Sequence, residues 1–337
     1  MTKSTEHEYA ELLEELKRQE SNAVGYDSDE IAAQQIEAFE RYVGQAYGDE
    51  QVGRSQVHTR EVFETIEWLR PDIARMFGSG GKAVEIEPWE KGSEQQAEAA
   101  TDFLNLTFFE QQDGHAIVDS FFFDGALQKM GVVGVFWEEA ELAEPEEYDG
   151  LDMMQAQSLN EDPAVDVLEA EETDTGIRMK TQRVKMQARP YVLNIAPEDF
   201  RIHPRATSLD DASYCGHITR TTKSELKLLF PDKHEEIEEY ADAGRRGVED
   251  DERRQARFFD EDGQQGSAFP NRDEDDDVIL HTEYIYHDRD EDEYDELIEV
   301  KRLDGCILSC EPVEENPDAA WSPIRIPHKL IGLSIAD

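Results

Sequence analysis

The stretch DRDEDEYDELIE, residues 288–299, carries hard oxygen donors at ordered spacing. Asp288, Asp290 and Asp292 fall at positions 1, 3 and 5 of a 12-residue calcium loop, and Glu299 falls at its bidentate position 12. The pattern fails at position 6, where the sharp turn needs glycine and the chain has Glu293. The flanking segments also alternate like strands, whereas calcium loops of this kind join helices. With 80 Asp and Glu among 337 residues, alternating acids arise readily without a metal. We read the stretch as an acidic connection between strands that retains a weak calcium candidate in those four residues.

A second donor set is His203, Cys215 and His217. His203 precedes a proline in a turn, and the other two share one face of an expected strand. Thiolate and imidazole suit zinc, which makes the trio a weak zinc candidate, and the bland reading is a turn histidine with two sheet-facing side chains. His281, Glu283 and His287 share another strand face with as little specificity. Nucleophilic catalysis has no G-x-S-x-G to build on. GSGGK at 78–82 lacks the phosphate-loop spacing and its following Ser or Thr. We expect no catalytic residues, no bound cofactor and no committed metal site.

The bulk composition narrows the function further. The net charge is −47, from 80 acidic and 33 basic residues. Such a surface stays soluble where salt screens its self-repulsion, and suggests a halophilic, acidic proteome. A tight nucleic-acid clamp needs clustered Lys and Arg, and none occurs. Three cysteines are too few for a disulfide framework. The N-terminus is charged throughout, and no apolar run approaches the ~20 residues of a membrane span.

The elements that must position these residues follow from periodicity. Polar helices are expected across residues 6–42, separated by GYDSDE. A stronger helical pattern covers 58–77, with Val62, Phe63, Ile66, Leu69, Ile73, Met76 and Phe77 on one face and a kink at Pro71. AVEIEPWE is expected to be a short strand. Ser93 and Gln96 read as a capping box opening a helix through Phe109. HAIVDSFFFDGALQKM is a second helix stopped by Gly131, and VVGVFWEE begins a buried strand. Residues 140–176 are an acidic stretch with one short helix, LDMMQAQSL. Strands follow at IRMKTQRVKMQARPYVLNIAP, then a turn, then YCGHITRTT. Thr222 and Glu225 make another capping box, for KSELKLLF, and DKHEEIEEYADAG continues as polar helix. Residues 245–277 lack periodicity and are expected to be disordered. VILHTEYIYHD alternates as a strand, and Asp304-Gly305 turns a hairpin between ELIEVKRL and CILSCEPV. The tail WSPIRIPHKLIGLSIAD is expected to begin an apolar helix, as if the chain were truncated there.

Three stretches in order resemble the portal (head-to-tail connector) proteins of tailed viruses, of the P22-like kind. They are YGDEQVGRSQVHTREVFETIEWLRPDIARMF, ATDFLNLTFFEQQDGHAIVDSFFFDGALQKMGVVGVFWEE and VLNIAPEDFRIHPRATSLDDASYCGHITRTTKSELK. The closing SPIRIPHKLIGLSIAD is similar to the family's lead into a long helix. The match covers most of 42–140, 190–230 and 278–337, while 1–40 and 245–277 have no clear counterpart.

The resemblance implies an α+β fold. It would be a portal-type wing body, with helices packed on mixed or antiparallel strands, acidic disordered segments, and the channel-lining helices largely missing. The chain's own patterning divides it into polar helices and loop (1–53), helical core running into a strand (54–139), acidic insertion (140–176), and strand-turn-strand with helices (177–244). A disordered stretch (245–277), strands with a hairpin (278–320) and a helical start (321–337) complete it. The implied function is a structural, non-enzymatic subunit of a ring, typically a dodecamer, at one capsid vertex of the virion. Its implied partners are other copies of itself, the packaging terminase motor, capsid and scaffolding proteins, tail or adaptor proteins, and double-stranded DNA passing through the channel, with no membrane. Assembly would take place in the host cytoplasm. The competing readings are an acidic interaction or adaptor protein without a DNA role, and a metal-dependent hydrolase using His203, His217 and nearby acids. Apolar excess at Phe103–Phe109 and Phe121–Phe123 suggests a contact with a neighbouring subunit, with Phe122 the residue to test.

Overall fold

A computed structural model describes residues 3–24, 30–45, 59–78, 82–160, 162, 165–173, 176–240, 253, 257, 277–288 and 294–337. In chain order the helices are α1 (Lys3–Asn22), α2 (Glu30–Val43), α3 (Glu61–Gly78), α4 (Glu94–Leu106), α5 (Gly114–Gln128), α6 (Met153–Asn160), α7 (Lys223–Leu229) and α8 (His234–Tyr240). The strands are β1 (Gly131–Leu151), β2 (Val165–Thr173), β3 (Gly176–Ile195), β4 (Phe200–Ile202), β5 (Tyr214–Thr222), β6 (Asp277–His287), β7 (Glu296–Arg302), β8 (Ile307–Pro312) and β9 (Asp318–Trp321). The fold is α+β with antiparallel strands. The chain divides into two units, one of residues 1–83, 113–134 and 193–337, the other of 84–112 and 135–192.

The first unit is built on a five-stranded sheet in the order β4-β5-β6-β7-β8. β6 lies at its centre, paired antiparallel with β5 and β7. Its alternating sequence suggested one dry face, yet Val278 to Ile285 are all buried. Helices cover both faces. Leu12 and Leu16 of α1 pack on Tyr214, Ile285, Ile298 and Val300. On the opposite face Leu226 of α7 and Ile237 of α8 pack on Val278, Leu280 and Leu308. The Asp304-Gly305 hairpin forms as expected, with Leu303 N donating to Cys306 O at 2.9 Å.

The capping box at α7 is complete. Thr222 Oγ1 accepts from Glu225 N at 3.2 Å, and Glu225 Oε2 accepts from Thr222 N at 3.0 Å. Thr222→Ala is therefore expected to cost about 1 kcal/mol in a urea melt, and an unchanged midpoint would show the cap to be idle.

In the same unit α2, α3 and α5 pack through Ala38, Phe39, Ile66, Ala126 and Leu127. α3 runs through Pro71 to Gly78. α5 ends earlier than the glycine signal suggested, because Lys129 takes the left-handed conformation (φ 74°) at its C-terminus. Gly131 has a different duty: a Cβ there would lie 2.1 Å from Phe121 O, so only glycine lets β1 start this close to α5. Phe121 and Phe122 lie 6.0 and 5.3 Å from the Trp321 ring. Both phenylalanines pack on Trp321 within the chain and remain partly exposed.

The tail does not begin a helix. After β9 it passes through turns, with an isolated bridge between Ile324 and Leu333, and Ile335 N donates to Ala126 O at 2.8 Å. Pro323 and Pro327 deny the helix its donors and push the preceding residues out of the helical region. Asp337 closes the segment on Lys129 Nζ at 2.5 and 2.6 Å.

In the second unit AVEIEPWE is not a strand. Its backbone is satisfied by side chains of α4: Val84 exchanges bonds with the Asn105 amide at 2.7 and 3.2 Å, and Ile86 N donates to Thr101 Oγ1 at 2.9 Å. The Ser93–Gln96 box does not form, because the Ser93 hydroxyl bonds Glu90 O in the preceding turn. α4 gives way to a π-helical turn over Thr107–Gln111. Much of the acidic insertion is strand. Glu169 and Glu171 stand opposite Lys180 and Arg178 across the β2–β3 ladder, and Lys180 Nζ meets Glu169 Oε2 at 2.7 Å. Opposite charges across the ladder let so acidic a segment pair. The expected short helix is α6.

Of residues 245–277, expected to be disordered, only Arg253, Arg257 and Asp277 are described. Both arginines are held tightly. The rest of that expectation lies outside the described residues.

Candidate functional site

Two buried charged clusters dominate the first unit. β7 reads ELIEVKR, and its alternation places Ile298, Val300 and Arg302 on one face, all 0% exposed. Arg302 thus points into the core beneath α1. Its Nε donates to Glu283 Oε2 at 2.5 Å, and its Nη2 donates to Glu283 Oε1 at 2.9 Å and Glu20 Oε2 at 2.6 Å. Tyr214 OH donates to Glu283 Oε1 at 2.7 Å, and His281 Nδ1 lies 3.3 Å from Glu20 Oε1. Burial works to raise the Glu20 pKa, but His281 and Arg302 outweigh it and hold the carboxyl at about 2. Burial and the Glu283 charge push the Tyr214 hydroxyl well above its usual range.

Glu20, His281 and Glu283 offer three donor atoms within 4.8 Å of one another, a spacing that could hold a metal ion. The Arg302 guanidinium already fills that role as the cation between the two carboxylates. Of the sequence's third donor set, His281 and Glu283 converge here. Glu20, from a helix more than 250 residues away in sequence, had no local signal. Arg302 had one, a charge at a core-facing position of an alternating strand.

The second cluster centres on Asp124 of α5. Arg257 Nη1 lies 2.9 Å from Asp124 Oδ1, and its Nε lies 2.8 Å from Glu198 Oε1. Arg253, 2% exposed, donates to Glu198 O at 3.1 Å and to Gln35 Oε1 at 3.3 Å. Burial pushes Asp124 up to about 6 in spite of Arg257.

The calcium candidate is only partly described: Asp290 and Asp292 lie outside the described residues. Asp288 directly follows β6. Glu299 sits on β7, where Oε1 accepts from Tyr284 OH at 3.0 Å and Oε2 pairs with Lys301 at 2.9 Å. Of the zinc candidates, His203 is turned into its own loop, its Nδ1 accepting from Arg205 N at 3.3 Å. Cys215 and His217 share a face of β5 and both approach Asp318 of β9.

The exposed surface carries large apolar side chains. α3 presents Trp68, 82% exposed, and Met76, 76% exposed. The second unit exposes Trp89, Trp137, Phe103 and Leu106. Among the described residues no helix is long and apolar enough to cross a membrane.

Residues 12–337 match the family model described as Phage SU10 portal protein. The chain belongs to the phage SU10 portal protein family. A search of the curated proteins finds no match. In this tailed-phage portal protein the two buried clusters lie inside one subunit, and Trp68, Trp89 and Trp137 are exposed on it.

Proposed function

We propose that the chain is a subunit of a closed ring, of the dodecameric kind, at one capsid vertex, where it forms the conduit for DNA packaging and ejection and the seat of the tail. The observation that carries this reading is the family match across nearly the whole chain. The implied partners are further copies, the terminase motor, capsid and scaffolding proteins, and tail proteins, and the role is structural, without catalysis. Two physical features support it. A conduit must let DNA slide, and a net charge of −47 disfavours gripping phosphates. A closed ring needs two different surfaces on each subunit, and the exposed face of α3 is suited to be one of them.

Sedimentation velocity and negative-stain microscopy of the full chain in high salt test the proposal. The expected result is a closed ring of uniform size, and a persistent monomer at every salt concentration would overturn it. Trp68→Asp, at so exposed a position, is expected to leave the subunit folded and lower the ring fraction at least tenfold. Undiminished rings would remove α3 from the interface.

A further inference from the structure

We propose that the second unit, residues 84–112 and 135–192, is an arm that opens and recloses as one cooperative piece while the first unit stays folded, with the Gln112 side chain as its clasp. Among the described residues, every buried apolar cluster lies in the first unit. The described apolar side chains that the second unit buries are Ala97, Val165 and Met179, while Trp89, Phe103, Leu106, Trp137 and Leu168 are exposed. Burial of apolar surface is the main force that keeps a unit folded. A segment with so little of it opens at low cost, and a body with its own core need not follow.

What holds the arm is polar and local. Asn105 and Thr101 of α4 bond the backbone at Val84 and Ile86. Across the β2–β3 ladder, the Lys180 and Glu169 side chains of the ion pair are 46% and 61% exposed. An ion pair so open to solvent contributes little. A ribbon of few strands without a buried apolar face is marginal by itself.

The two segments of the arm are separated in sequence by residues 113–134 of the first unit. Gln112 ends the first segment and joins it to the second. Its Nε2 donates to Pro190 O at 2.6 Å, and its Oε1 accepts from Val192 N at 2.7 Å. Pro190 and Val192 lie two residues apart on β3, so these groups face the same edge of the strand. The amide bonds them as a residue of a neighbouring strand would. Pro190 has no N–H to give to such a strand, and the side-chain amide does not need one. Directly after the clasp, Asp113 takes the left-handed conformation (φ 54°) and α5 begins. The clasp therefore sits at a boundary between the units, where one side chain can couple α4 to the ribbon.

Hydrogen exchange of the full chain, read by mass spectrometry at fixed pH and salt, tests the proposal. In the wild type the hydrogen-bonded amides of α4 and β2 are expected to share one level of protection, and to exchange about a hundredfold or more faster than those of β5, β6 and β7. Gln112→Ala loses both hydrogen bonds, and is expected to speed exchange in α4 and β2 alike by about tenfold or more while β5, β6 and β7 keep their rates. Gln112→Glu keeps the acceptor for Val192 N but not the donor to Pro190 O, and is expected to give a smaller change. The proposal is overturned if α4 and β2 are as protected as β5, β6 and β7 in the wild type. It is equally overturned if Gln112→Ala changes neither or only one of α4 and β2, or if it speeds β5, β6 and β7 as much as the arm.

Discussion

Arg302→Met lowers the free energy of unfolding by about 3–5 kcal/mol, read from urea melts at fixed salt. The side chain is 0% exposed and binds the Glu283 carboxylate through two nitrogens and Glu20 through one. Methionine fills much of the volume but leaves two carboxylates buried without their cation. The triple variant with Glu20→Gln and Glu283→Gln is expected to recover most of the loss, because no charge is then stranded. A single variant within about 1 kcal/mol of wild type would show that the core rearranges freely around the acids.

The same cluster has an acid signature. Glu20 is held at about 2 against an ordinary value of 4.5. A depressed carboxyl contributes stability that is complete above about pH 4.5 and is lost as pH falls toward 2, on the order of 3 kcal/mol in all. Glu20→Gln should flatten the stability profile across that window.

Arg257→Ala is the second large effect, about 3–5 kcal/mol at pH 8. Asp124 is pushed up to about 6 with Arg257 beside it, and without the guanidinium it rises further. The sign follows from linkage. A carboxyl whose folded value is raised above 3.8 takes up a proton on folding, so stability is fullest at low pH and falls as pH rises through about 6. The loss in Arg257→Ala should therefore be much smaller at pH 5 than at pH 8, and adding Asp124→Asn should abolish that difference. Equal losses at both pH values would mean that Arg257 acts through Glu198 or through packing and not through Asp124.

The contrast between two capping boxes shows how far local signals reach. Thr222 and Glu225 form theirs because hydroxyl and carboxylate each reach the other residue's backbone amide across one helical turn. Ser93 and Gln96 have a similar spacing, but the Ser93 hydroxyl is taken by Glu90 O of the turn before it. The apolar tail reads as helical on composition, yet Pro323 and Pro327 leave it in turns that dock on Ala126 and Lys129. The contact at Asp318 shows the same limit. Cys215 and His217 could be paired by strand periodicity, but Asp318, about a hundred residues later, could not.

The sequence by itself determined the main helices and strands, the β7–β8 hairpin, the acidic surface and, through ordered motifs, the family. These follow from period, turn chemistry and composition, which are local or additive quantities. Only the tertiary structure decided that β6 is covered on both faces, that Arg302 and Arg257 are buried cations, and that Cys215 and His217 both turn to Asp318. Each of those facts depends on which distant segments pack together. A charge at a core position is legible as an oddity in the sequence, but its counter-charge is chosen by the fold.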